Sequence, residues 1–182
     1  MLAAFLFAVT VSVPAGLPET INELSKLVAQ EKWDKAAEWV RLIETRVSER
    51  AALEVIDGQV LVKPPAGLGI YERAGGGVVR GDEVYLYAQV RNHQVRQLGE
   101  GFELHLVTDL IIYDADAENV EIARDSGYGE SRFVARTPHR DTFVVIALRR
   151  KGLPSGAYVV RLVVHDRIGK NRGNIDIPFK IP

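Results

Sequence analysis

A chain of 182 residues with 47% hydrophobic and 26% charged residues has the make-up of a folded globule, long enough for one domain and a small appendage. A formal net charge of −1 gives no broad pull on nucleic acid or anionic lipid, and the densest basic run, Arg149-Arg150-Lys151, is short, so no nucleic-acid partner is expected. Cysteine is absent, which excludes disulfides, thiol catalysis, Cys-ligated zinc and iron–sulfur clusters.

Residues 1–15, "MLAAFLFAVTVSVPA", carry no charge. The apolar run from Leu2 to Val13 is shorter than the roughly twenty residues that a membrane-spanning helix needs. Val13 and Ala15 put small residues where a signal peptidase inspects the chain. The segment therefore reads as a signal peptide cleaved before Gly16, although no Lys or Arg precedes its apolar run. Export to a bacterial periplasm or cell surface follows, with no transmembrane span in the mature protein. The lack of any Asn-x-Ser/Thr acceptor fits that route.

Residues 16–54 read as a helical arm. Ile21, Leu24, Leu27 and Val28 recur at helical spacing, as do Trp33, Ala36, Ala37, Val40, Ile43 and Val47 after the polar Gln30-Glu31-Lys32. A helical hairpin is expected, with one continuous helix as the alternative. "VAQEKWDKAAEWVRLIETRV" resembles half of one tetratricopeptide-type repeat, a unit that stands only when stacked.

From residue 55 to 182 the period changes to two. Val84, Leu86, Ala88 and Val90 alternate with Glu83, Tyr85, Tyr87, Gln89 and Arg91. Residues 102–113, 158–166 and 174–181 alternate likewise, and further strands are expected near 58–63, 119–124, 131–135 and 142–149. Seven or eight strands with no helix between them predict a mainly β fold, a sandwich of two antiparallel sheets with the hairpin docked on it. "LPSGAY", residues 153–158, resembles the corner before the penultimate strand of fibronectin type III and other immunoglobulin-like modules. That resemblance implies an immunoglobulin-like sandwich in which the Tyr158 hydroxyl bonds back to the corner backbone.

The candidate chemistry is sparse. If Val107 faces Val163 on neighbouring strands, His105 stands opposite His165 and Asp109 opposite Arg161. That register would allow a metal site or metal-dependent enzyme centred on His105 and His165, but no third ligand is evident. "DADAEN", residues 114–119, fails the calcium-loop pattern, because Asn119 and Asp125 stand where Gly and Glu are required. Arg80-Gly81-Asp82 is ordinary turn chemistry, and no Gly-x-Ser-x-Gly elbow appears. No cofactor and no enzymatic activity are expected.

The outer faces say more. Val107, Ile111, Val159 and Val163 make one outward strand face unusually apolar, and Trp33, Val40, Ile43 and Val47 form a helical stripe in need of cover, so the two sets are expected to pack together. Tyr85, Tyr87, Gln89 and Arg91 form an outward patch of the composition that binds proteins. The reading is a non-catalytic, exported binding or scaffolding module of the cell envelope with a protein partner.

Overall fold

Two N-terminal helices and eight strands make up residues 16–150 and 152–182, the residues that the computed structural model describes. The expected signal peptide, residues 1–15, lies outside them. The chain divides into two units, one ending at Val47 and one running from Ser48 to Pro182.

The first unit is a hairpin of α1 (Leu17–Ala29) and α2 (Trp33–Ser48), not one continuous helix. The break is a Schellman turn. Glu31 takes a left-handed φ of 55° while its N–H donates to the Val28 carbonyl and the Lys32 N–H to that of Leu27. Glycine is the usual residue there, and here the polar Gln30-Glu31-Lys32 is the signal that marks the stop. Arg46, near the end of α2, donates to the Gly16 carbonyl at 3.2 Å and to the Thr20 hydroxyl at 2.8 Å, tying the helix ends together. Only Thr20 and Ala36 of the two helices are buried, because two helices enclose too little space for an apolar interior.

The second unit is mainly β. β1 (Glu54–Leu61), β2 (Glu83–Arg91) and β6 (Asp141–Arg149) form a three-stranded antiparallel sheet in the order β1-β2-β6. β3 (Arg96–Leu98), β4 (Gly101–Asp114), β7 (Gly156–Asp166) and β8 (Arg172–Ile181) follow one another in the second sheet, and β5 (Val120–Ala135) joins it by pairing with β4. β5 merges the two strands expected at 119–124 and 131–135. The alternating sets fall inward as expected. Val84, Leu86, Ala88 and Val90 share one buried cluster with Leu104, Leu106, Leu110, Ile112, Tyr158, Val160, Leu162, Val164, Ile177, Phe179 and Ile181. Each Val, Leu, Ile or Phe among them contributes about 1.5–3 kcal/mol on burial, so the shared core dominates the stability of this unit. The Tyr158 hydroxyl donates to the Pro154 carbonyl at 2.8 Å, the bond that the corner resemblance implied.

The register between β4 and β7 corrects the expectation. The strands are neighbours, but Val107 faces His165 and Asp109 faces Val163, two residues away from the expected pairing. A two-residue slip keeps every side chain on its own face, so alternation cannot detect it. The strand ends fix the choice. Ala115 N–H donates to the Ala157 carbonyl, Ala157 N–H to Asp116 Oδ2, and Arg167 N–H to the His105 carbonyl. The acidic run at 114–119 is the polar turn that supplies one of these bonds. Asp114 Oδ1 accepts from the Asp116 and Ala117 N–H groups, and Glu118 and Asn119 both take positive φ.

Candidate functional site

The outer face of the three-stranded sheet carries an organised polar cluster. β2 turns Tyr85, Tyr87, Gln89 and Arg91 to this side. Beyond β1 the chain folds back over the sheet, held by Val62 N–H to the Glu72 carbonyl and Ala74 N–H to the Val60 carbonyl. This return places Tyr71 on Tyr87, with ring centroids 4.6 Å apart, and brings the Gly69 N–H within 3.0 Å of the Tyr87 hydroxyl. Phe143 of β6 stacks on Tyr87 at 5.4 Å. Tyr87 is therefore fully buried, which corrects its expected place in an outward patch. The other three keep some exposure. Tyr85 donates its hydroxyl to Glu83, Arg91 reaches Asp141 at 3.7 Å, and Gln89 donates to Asp57 at 3.2 Å.

Asp57 organises this face. It sits at a β1 irregularity between Ile56 and Gln59, with a φ of 51° that a side chain rarely adopts. Its Oδ1 accepts from Gln59 Nε2 at 2.8 Å. Its Oδ2 accepts the Tyr71 hydroxyl at 2.6 Å as well as Gln89. The short bond to Asp57 pushes the Tyr71 phenol up, against the opposing pull of Arg73. Arg73 stands over the Tyr71 ring at 5.6 Å. It also lines a cleft of about 620 Å³ whose only ionisable wall groups besides Tyr158 are Arg73 and Lys180. The neighbouring Gly58 leaves room for the core, since a Cβ there would come within 2.8 Å of Ile177 and 2.9 Å of Ile175. Sequence reasoning missed Asp57, Tyr71 and Arg73. The available signal was Asp-Gly inside a strand, a mark of an irregularity.

The outer face of the second sheet is a lattice of ion pairs. Buried Glu103 accepts from both Arg96 and Arg132, which hold its carboxyl below the ordinary range. Arg161 makes two 2.7 Å bonds to Asp176 and lies over the Tyr113 ring at 5.4 Å. His165 Nε2 donates to Asp109 at 2.7 Å, and His105 Nε2 to Glu130 at 2.9 Å. Burial works against the Asp109 charge, yet the Gly127 N–H and His165 hold its carboxyl below the ordinary range. The expected metal pair is corrected accordingly, because each histidine is spent on its own carboxylate. Among the described residues no three His, Asp or Glu side chains gather as metal ligands. The apolar members of this face divide, with Val107 and Ile111 buried and Val159 and Val163 half-buried. On the hairpin, Trp33, Val40 and Val47 are exposed and Ile43 is half-buried. Asp166 is buried and accepts from the Gln94, Ile168 and Gly169 N–H groups, a turn-holding role.

No family model matches the chain. No curated protein matches it either. Among solved structures it is similar to the Pseudomonas fluorescens alkylpurine DNA glycosylase AlkC bound to DNA containing an abasic site analog. That likeness has 12% identity and a TM-score of 0.37, and covers 81% of this chain and 39% of that one. AlkC in that structure is an enzyme on DNA, which runs against the two exclusions drawn from the sequence, of catalysis and of a nucleic-acid partner. Neither exclusion is kept. A likeness this shallow assigns neither property to this chain.

Proposed function

We propose that this chain is an exported, fibronectin type III-like module of the bacterial cell envelope that binds or scaffolds a protein partner. Partner contact falls on the outer face of the three-stranded sheet. Support for the fold comes from the strand partition. Strands β1, β2 and β6 sit in one sheet and β4, β7 and β8 in the other, the division of first, second and fifth against third, sixth and seventh main strands in immunoglobulin-like domains. The Tyr158–Pro154 bond adds to it. Support for export is the charge-free apolar opening with small residues at Val13 and Ala15.

The observation that carries the binding reading is Asp57. A non-glycine residue at positive φ costs about 1–3 kcal/mol, and such strain clusters where backbone geometry serves a ligand. Here it aims one carboxylate at Tyr71, Gln89 and Gln59 and leaves Tyr85, Arg91 and Arg73 around the cluster. Tyrosine and arginine are among the side chains enriched where proteins bind one another.

The test is retention of envelope proteins from the producing cells on the immobilised chain. Tyr85→Ala and Arg91→Ala should each lower retention of one defined protein at least about tenfold, as for interface hot spots, while His105→Ala on the other sheet leaves it unchanged. Equal retention by all variants contradicts the reading.

A further inference from the structure

Residues 129–135 read Gly-Glu-Ser-Arg-Phe-Val-Ala, with an acid and a base placed symmetrically about Ser131. They form the last half of β5, which pairs without a break from Thr108↔Gly129 to Phe102↔Ala135. Among the described residues β5 pairs with β4 alone, so its other edge presents unpaired backbone donors and acceptors. No proline interrupts this half. Phe133 is 42% exposed and Val134 55% exposed, large apolar groups on a strand edge. Natural edges are normally protected against pairing, and this segment is a template for another strand.

The charges name the occupant. We propose that Gly129–Phe133 pairs antiparallel with the same five residues of a second copy, about a two-fold axis at Ser131, with Val134 of each copy beyond them opposite Tyr128 of the other. In that register Glu130 of each copy faces Arg132 of the other, and Phe133 faces Gly129. Moving the axis one residue either way sets Arg132 against Arg132 or Glu130 against Glu130, like charges in direct opposition. The Glu130 and Arg132 side chains are each 58% exposed, so both keep room for a partner beyond their bonds to His105 and Glu103. A two-fold interface of this kind is self-complementary and closed, giving a dimer and not a fibre.

Because the chain has no cysteine, one substitution reads the register. Ser131→Cys places two thiols on the axis, where directly opposed residues lie about 4.5–5.5 Å apart, within disulfide reach. Val134→Cys separates them by six residues, roughly 20 Å. The expected result is a dimer by sedimentation, with oxidative cross-linking of Ser131→Cys at least about tenfold faster than of Val134→Cys. Glu130→Arg and Arg132→Glu should each be monomeric alone and form a mixed dimer when combined, which damage to the fold would not produce. A monomeric parent chain, equal cross-linking at both positions, or no mixed dimer from folded variants overturns the proposal.

Discussion

On the outer face of the three-stranded sheet a returning loop covers Tyr87 with Tyr71 and a backbone N–H. On the second sheet Val107 and Ile111 lie among polar and charged strand neighbours, Glu130 and His165 beside the first and Arg124 and Arg161 beside the second. Long charged side chains cover apolar surface with their stems while their ends stay in water. An apolar residue on an outward strand face therefore does not by itself announce a missing partner. One face is closed by a loop that sequence alternation cannot see, the other by its own cross-strand neighbours.

Substitution should separate the two modes of cover. Tyr87→Ala removes a fully buried ring together with the stacking of Tyr71 and Phe143, and should cost about 3–5 kcal/mol by chemical denaturation. Ile111→Ala should cost less, about 2 kcal/mol, because the flexible Arg124 and Arg161 stems settle into part of the gap. Equal losses at the two positions would break the distinction.

Acid offers a second separation. Burial pushes the His93 imidazole below its ordinary value of 6.5, against the raising effect of its bond to the His139 carbonyl. A group kept neutral by folding contributes its full share above 6.5, where both states are uncharged. Its share is lost as pH falls from there through the depressed folded value. Glu103, Asp109 and Asp176 on the second sheet have carboxyls held below their ordinary 4.5, 3.8 and 3.8, so their contribution is lost only at lower pH, through those depressed values. Denaturation midpoints should thus fall in two stages, and His93→Gln should flatten the first, the one that sets in as pH falls below the ordinary histidine value of 6.5.

The smallest effect expected is at Asp57. Asn tolerates positive φ, so Asp57→Asn should change stability by no more than about 1 kcal/mol. It should nonetheless bring the Tyr71 phenol back down towards its ordinary value, read as an ultraviolet titration of tyrosine.

Much of the β-unit was legible from residues alone. Val84 to Val90, Leu104 to Ile112 and Tyr158 to Val164 announce their inward faces by alternation, because one buried face forces a period of two. The corner at Tyr158 was legible from five neighbours. Register was not, since a two-residue slip leaves His105 and His165 on the same face while separating them as partners. The helix stop at Glu31 was legible from the polar Gln30-Glu31-Lys32, although it lacks the usual glycine. Asp57 draws Tyr71 from 14 residues away and Gln89 from 32, distances over which no local pattern reports.

Site-specific photo-cross-linking in the producing cells tests partner binding most directly. A cross-linking side chain replaces Tyr85 on the three-stranded face or Asn174 on the second sheet, one at a time. A defined protein adduct from position 85 and none from position 174 is the predicted result. Adducts of equal yield from both positions, or from neither, would contradict it.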